Sequence, residues 1–421
     1  MTISLMQWNA RGLIPKLREL KQHIGNNTYD IICVQGTFLK PDKAVRIEGY
    51  NIVRTDRTAG KGGGLAIFLK QDVKYMILPS PPNIEYQIME ISTTTGKLTI
   101  VNVYVPPSTN IETDCYQSLF ARPNTIIVGD LNVKNSLWNS PTDNARGRAI
   151  ETLLTQNNFV VLNTGQPTYQ NSLGQTSHID LTLAASRLAT KCTWHVLNNA
   201  MGSDHAPVVC QLEDILKVEN NITSKWKLDK ADWQSYQYNC RQQLLLNDPY
   251  NDDVNTFNEN VVRMITAAAN NSVPCRKLNN TRKHKPLPYW NEDIKTAIYR
   301  RNCARNKLRR RPTQENVNNY KRQKGLAQHV IKENAEIHWH KYCDTLDNTT
   351  KLSLVWNMAK RMNGLSSNTT SRYLITDDGQ TVDNNIDKAE LFAKKFSEII
   401  SPANYSEDFR KRKESVEADT T

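Results

Sequence analysis

Polar side chains, and one glycine, stand where apolar runs end at six places. They are Asn9 after SLMQW, Gly36 after ICVQ, Tyr104 in NVYVPP, Asp130 and Asn132 in IIVGDLN, Asp180 in HIDLTL, and Asp204 with His205 in MGSDHAPV. If those runs are the central strands of a sandwich, their ends converge on one face and project side chains into a common cleft. The residue types suit cleavage of a phosphodiester. That reaction needs a deprotonated water, a cation on the phosphoryl oxygens and stabilisation of the leaving oxygen. Asp130, Asn132, Asp180 and His205 can supply the base, its orientation and the cationic contact. Rival chemistries lack their residues in this half of the chain, which has no GxSxG elbow, no cysteine with a partner histidine and no histidine-rich zinc cluster. Singly, each residue keeps a plainer reading: Asn9 or Asn132 as a turn cap, Tyr104 as a core aromatic, Asp180 with His205 as a buried structural pair.

The elements that must position these residues are legible from periodicity. SLMQWN, DIICVQ, GLAIFL, LTIVNVYV, TIIVGDLN, VVLN, HIDLTLA and PVVCQL read as short strands. PKLRELKQHIGNN reads as a helix with Leu17, Leu20 and Ile24 on one face, closed by Gly25 and Asn26, and ARGRAIETLLTQNN as a second. This mixture predicts an α/β fold, a two-sheet β-sandwich flanked by helices, over residues 1–215. Gly-rich GKGGG, residues 60–64, lacks the Lys-Ser/Thr of a phosphate loop and leads into a strand, so it reads as a hairpin turn. After Leu212 the β-type runs stop and a mainly helical, basic C-terminal region is expected. A linker with helices spans residues 216–285, a basic helical connector 286–365, and a small hairpin turning at Asp378-Gly379, a helix and a disordered tail 366–421. Within the connector Pro312 separates two basic helices, the second running from Gln314 to about Leu346.

Charge is uneven along the 421 residues, whose formal net charge is +12. Residues 1–215 carry 19 basic against 17 acidic side chains, whereas residues 276–332 carry 17 against 3. A polyanion is the natural partner of that segment, with Arg300, Arg301, Arg305, Lys307, Arg309, Arg310 and Arg311 as candidate nucleic-acid contacts; a solvated helix face or an import signal is the plainer reading. The N-terminus has no signal-peptide pattern and no apolar run reaches a membrane span, so an intracellular protein is expected. Eight cysteines without a CxxC pair point to buried, reduced thiols.

The ordered series QWNARG, VQGT, NVYVPP, GDLN, SHIDLTL and GSDHAPV resembles the endonuclease/exonuclease/phosphatase superfamily. More narrowly, GKGGGLAIFLK, LWNSPTDNARGRAIETLL and SHIDLTLA resemble the apurinic-endonuclease-like domain of jockey-like non-LTR retrotransposons. LPYWNEDIKTAIYRRNCARNK, WNMAKRMNG and the span from DDGQTV to FAKKFSEII resemble the connector that leads to their reverse transcriptase. The resemblance implies a Mg²⁺-dependent (or Mn²⁺-dependent) DNA endonuclease acting in the nucleus. It leaves a 3′-hydroxyl that primes reverse transcription, with DNA as target, the element's RNA as a second partner and no membrane. It further implies that Asp130 activates the attacking water and Asn132 orients water or phosphate. Asn9 would help hold the metal, Tyr104 contact the scissile phosphate, and His205, oriented by Asp180, polarise a phosphoryl oxygen, with Asp204 in the metal's outer shell.

One position departs from the family. Where the family has Gln-Glu-Thr, this chain has Gln35-Gly36-Thr37, so the glutamate expected to ligate Mg²⁺ is absent and the ion should be weakly held. No YxDD-like polymerase sequence occurs, so the expectation is a fragment or truncated product of a longer polypeptide. The alternative is a catalytically lapsed nucleic-acid-binding remnant.

Overall fold

The computed structural model describes residues 2–57, 60, 62–79, 85–107, 117, 120, 122–217, 224–246, 254–277, 287–362, 374–375, 381–382, 385–399, 401 and 405–418. In chain order the strands of the first half are β1 (Ile3–Asn9), β2 (Ile31–Gln35), β3 (Tyr50–Thr55), β4 (Leu65–Lys70), β5 (Tyr75–Leu78), β6 (Glu85–Thr93), β7 (Gly96–Tyr104) and β8 (Thr125–Asp130). They continue with β9 (Phe159–Val161), β10 (Tyr169–Gln170), β11 (Thr176–Ser177), β12 (Asp180–Ala185), β13 (Cys192–Val196) and β14 (Val208–Leu212). Two six-stranded sheets result, ordered β13-β14-β1-β2-β4-β3 and β5-β6-β7-β8-β12-β9. In each, one central pair is parallel, β1 with β2 and β7 with β8, and the remaining pairs are antiparallel.

Period-two alternation explains the layering. Ile3, Leu5, Ile31, Cys33, Leu98, Ile100, Ile126, Val128 and Ala184 face the space between the sheets and form one apolar cluster. Their neighbours face outward: Met6, Trp8, Ile32 and Val34 meet Leu20 and Ile24 of helix α1 (Leu17–Asn26). On the other sheet Val101, Val103, Ile127 and Leu181 meet Ile150, Leu153 and Leu154 of helix α2 (Ala145–Gln156). The expected sandwich with outer helices is therefore present. The series quoted from the sequence missed β3, β5, β6 and β13, which are half-exposed or mixed in pattern. The Gly-rich segment does join two antiparallel strands, β3 and β4, although Lys61 lies outside the described residues.

Beyond Leu212 the chain is not free of strands: β15 (Ser224–Trp226) pairs with β16 (Cys275–Lys277) around helices α3 (Trp233–Leu246) and α4 (Val254–Ser272). Helix α5 (Glu292–Arg310) and helix α6 (Gln314–Cys343) flank Pro312 as the sequence indicates, each opened by a side-chain cap, Asn291 and Thr313. Ala304 and Leu308 of α5 pack on Val317 and Tyr320 of α6. Helix α7 (Leu352–Met362) follows. Contacts divide the chain into units 1–366 and 367–421. The second contains β17 (Leu374–Ile375) paired with β18 (Thr381–Val382), helix α8 (Asn385–Ile399) and helix α9 (Glu407–Ala418); the expected turn at Asp378-Gly379 lies outside the described residues.

Within the expected tail the described residues include helix α9, with acidic Glu407 and Asp408 in its first turn, Ser406 Oγ accepting from Phe409 N at 3.4 Å and a Glu407–Lys411 ion pair at 3.3 Å. One expectation is corrected: not all described cysteines are buried, since Cys33 and Cys210 are, while Cys275 and Cys303 are exposed, and all seven described are free thiols. Among the described residues no helix is long and apolar enough to cross a membrane.

Candidate active site

Inward-facing positions change from apolar to polar towards one end of both sheets. Ile3 and Leu5 are followed on the same face by Gln7 and Asn9, Ile100 by Asn102 and Tyr104, Val128 by Asp130, and Ala184 is preceded by Thr182 and Asp180. The polar layer ties the sheets together. Gln35 Nε2 donates to Asn102 Oδ1 at 2.7 Å, Gln7 Nε2 to Gly129 O at 3.2 Å, and Thr182 Oγ1 to Gln7 Oε1 at 3.3 Å. Above it, register sets the cleft: Asp130 lies opposite Asp180 on one side and Tyr104 on the other.

Both Asp180 carboxylate oxygens lie 2.9 Å from His205 Nδ1, which holds that nitrogen as the donor and turns Nε2 towards Asp130, 3.9 Å away. Asp130 accepts from Asn9 Nδ2 at 2.7 Å and from the Asn132 backbone N–H at 3.2 Å. Asn132 takes a left-handed backbone, φ 51°, and spends its amide nitrogen on Val105 O at 2.9 Å. Asn9, Asp130, Asp180 and His205 are each at most 5% exposed. Asn9, Asp130 and His205 floor an open cavity of about 520 Å³ whose walls include Arg11, Phe38, Tyr104, Asn132, Lys134, Arg146 and Tyr169.

Burial is the largest influence on Asp130 and raises its pKa to about 7, with His205 and the bonds from Asn9 and Asn132 opposing it and Asp180 adding to it. Burial alone would pull His205 down. The Asp180 carboxylate, followed by Asp130 and Asp204, more than reverses this and raises the imidazole to about 9. The site therefore favours an imidazolium beside a carboxylate whose ionisation burial resists. Because the folded pKa of His205 lies above the ordinary 6.5, its contribution to stability is complete below about pH 6.5 and is lost as pH rises through about 9. NMR titration of the metal-free protein should find this imidazole titrating well above the other histidines, with Asp180→Asn bringing it down; an ordinary titration midpoint for His205 would refute the pairing.

The residues singled out from the sequence thus fall into two groups. Asn9, Tyr104, Asp130, Asn132, Asp180 and His205 come together. Asp204 is beside them but carries an ion pair with Arg11; burial pushes its pKa up, and His205 and Arg11 together outweigh that and leave it lowered. The basic series is split. Arg300, Lys307, Arg309, Arg310 and Arg311 are exposed, whereas Arg301 and Arg305 are 2% and 6% exposed and dock α5 onto the sandwich. Arg301 donates to Glu19 from both terminal nitrogens, at 2.8 and 2.6 Å, and to Asn199 Oδ1 at 2.9 Å, while Arg305 donates to Asp204 O at 3.3 Å. As nucleic-acid contacts those two are corrected: their guanidinium groups are spent on protein partners, at positions facing the sandwich on the helix.

Several contributors went unnoticed. Tyr169 tilts over His205 with ring centroids 4.8 Å apart, Trp8 Nε1 donates to His205 O at 3.2 Å, and Ser203 Oγ donates to Asn9 O at 2.9 Å. The guanidinium of Arg57 sits 5.6 Å from the Tyr104 ring centre, held by Glu85, which also accepts from Gly64 N at 3.1 Å. Arg11 and Ser203 stood inside quoted motifs; Arg57, Glu85 and Tyr169 carried no local signal.

A divalent cation would meet few free oxygen donors in this cleft. Asp130, Asp180 and His205 offer ligand atoms within 4.8 Å of one another. Yet Asp180 faces His205, Asp204 is paired with Arg11 and Asn9 Oδ1 already accepts from Arg11 N at 2.9 Å, which leaves Asp130 as the carboxylate lining the cavity, with Asn9 and Asn132 beside it as neutral oxygen donors. Gly36, φ 57°, adds no oxygen; a Cβ there would lie 2.5 Å from Asn9 Oδ1. These residues fit a weakly held hard cation and not a tightly held one.

Residues 98–209 match the model of a family described as endonuclease-reverse transcriptase. The chain is 26% identical over 218 residues to the RNA-directed DNA polymerase from mobile element jockey of Drosophila melanogaster, covering 50% of this chain and 24% of that protein. It is likewise 26% identical over 241 residues to the probable RNA-directed DNA polymerase from transposon X-element of the same fly, covering 54% and 26%. The chain therefore spans about a quarter of the length of these relatives. Among solved structures it is similar to the endonuclease domain of TRAS1, a telomere-specific non-LTR retrotransposon, at 21% identity and a TM-score of 0.45, covering 50% of this chain and 98% of that one. The first half of the chain is thus similar to the endonuclease-reverse transcriptase family and to part of these retrotransposon proteins.

Proposed function

We propose that the cleft cuts one strand of DNA in the nucleus, leaving a 3′-hydroxyl that primes reverse transcription in a complete element. The observation that carries this reading is the buried Asp130–His205 pair, backed by Asp180, at the floor of a cavity whose walls include Arg11, Lys134 and Arg146. His205, cationic and fixed by Asp180, contacts a non-bridging oxygen of the scissile phosphate and draws charge from it. Asp130 takes the proton of the attacking water, which the Asn132 side chain helps to aim. Tyr104, beside the Arg57 guanidinium, meets the phosphate near the departing oxygen. A Mg²⁺ or Mn²⁺ ion, held by Asp130 and Asn9 with Asp204 behind them, would add Lewis-acid stabilisation of the phosphoryl oxygens.

Supercoiled plasmid with purified protein and Mg²⁺ tests this reading; nicking that persists in a His205→Ala variant would overturn it. Gly36→Glu is expected to bind Mg²⁺ more tightly and nick at least ~10²-fold faster. It should also be less stable by about 1–2 kcal/mol, because position 36 is left-handed and Asn9 must give way. Equal nicking by the two proteins would remove Gly36 from the account. The second reading, a lapsed cleft that still binds nucleic acid, is favoured by Gly36 alone, and nicking seen only with glutamate at position 36 would support it.

Affinity in either reading comes from the exposed basic side chains. Changing Arg300, Lys307, Arg309, Arg310 and Arg311 to glutamine should flatten the salt dependence of duplex binding, each lost phosphate contact taking roughly 0.9 from the logarithmic slope. An unchanged slope would take α5 out of the DNA interface.

A further inference from the structure

Phe38 occupies an unusual place for a phenylalanine. It lies on the wall of the same cavity as Asp130, Tyr104 and His205, remains 45% exposed, and has a left-handed backbone, φ 54°. Bulky residues rarely adopt that conformation unless their surroundings impose it. Here the imposition is visible. Thr37 N donates to Gly64 O at 3.1 Å and Phe38 N to Gly63 O at 2.9 Å, stitching the segment after β2 to the glycine-rich loop. The ring lies against two glycines. A Cβ on Gly62 would sit 3.1 Å from Phe38 Cε1, and one on Gly12 would sit 3.5 Å from Cδ2. The glycine-rich motif thus does more than turn the chain from β3 to β4: its missing side chains make room for an aromatic ring at the lip of the cleft.

The rest of the cavity wall is dominated by polar and charged groups, with Arg11, Lys134 and Arg146 supplying positive charge. A ligand that satisfies both characters joins an anionic group to a flat apolar face. A nucleotide unit does so, and aromatic side chains stack on bases of any sequence. We propose that Phe38 is a stacking platform for a nucleobase unstacked beside the phosphate in the cleft, held in place by residues 62–64. This rests on the reading of the cleft as a DNA site.

The test compares binding of a short single-stranded oligodeoxynucleotide with binding of inorganic polyphosphate, an anion without bases, both in chelator and at fixed salt. Phe38→Ala is expected to weaken oligonucleotide binding by on the order of 10-fold while leaving polyphosphate binding unchanged. Phe38→Tyr should keep parental affinity for both, and Gly62→Ala, which crowds the ring, should lose the same base-dependent increment as Phe38→Ala. Equal oligonucleotide affinity of Phe38→Ala and parent, or a parallel loss towards polyphosphate, would overturn the stacking role while leaving the DNA site standing. A parent protein that binds neither ligand would instead remove the DNA reading itself.

Discussion

Asp130→Asn is expected to lower DNA nicking by roughly 10²- to 10⁴-fold, the range for loss of a positioned general base. The fold should survive the change. Asp130 is 2% exposed and its pKa is raised by burial, so the ionised form is the one that the interior resists. An asparagine has the same shape but one acceptor oxygen, and Asn9 Nδ2 and the Asn132 N–H bond different carboxylate oxygens, so one of the two bonds is lost while the buried charge is removed; thermal stability should stay within about 1–2 kcal/mol of the parent. Activity then falls steeply while stability changes little, as expected where a buried charge is kept for chemistry. Nicking measured in the parent and Gly36→Glu backgrounds, with Tm beside it, decides the matter. An asparagine variant that nicks within ~10-fold of its background would show that Asp130 is not the base.

The second large effect concerns stability. Arg301 and Glu19 have side chains only 3% and 7% exposed, and their two-pronged contact joins α5 to α1, with Asn199 donating to Glu19 at 3.1 Å and accepting from Arg301 and from Met201 N at 3.0 Å. Asn199 and Met201 belong to the loop that leads into Asp204 and His205. Arg301→Ala leaves the Glu19 carboxylate buried without its cation. Breaking such a pair by removing one partner costs about 3–5 kcal/mol, a fall in Tm on the order of 10 °C for a domain of this size. Arg301→Lys should recover part of the loss, since an ammonium keeps the charge but not the paired geometry. A Tm for Arg301→Ala within ~2 °C of the parent would mean that α5 contributes nothing to the sandwich.

The fold class and six of the cleft residues were legible because both depend on local signals. Alternation in SLMQWN, TIIVGDLN and HIDLTLA specifies strands, and the polar residue ending each run must lie where an inter-sheet core gives way to solvent. Gly36 was legible as a missing carboxylate. Its left-handed backbone and its closeness to Asn9 were not, since they depend on how β1 and β2 end side by side.

Charge was read correctly as composition and incompletely as surface. Seven cationic side chains in and after α5 look alike in the sequence, yet helical spacing turns Arg301 and Arg305 onto the sandwich and leaves Arg300, Lys307 and the arginines after them outside. The acceptors that select the buried two come from distant parts of the chain, the Glu19 carboxylate from α1 and the Asp204 backbone carbonyl from the loop before β14. The same holds for Arg57 over Tyr104 and for Phe38 between Gly12 and Gly62. The sequence by itself determined the strands, their order of polar endings and the kind of chemistry those endings support. Only the tertiary structure decided which side chains share the cleft and which are used up in holding it, because burial, ion pairing and close approach to glycine are properties of residues far apart in the chain.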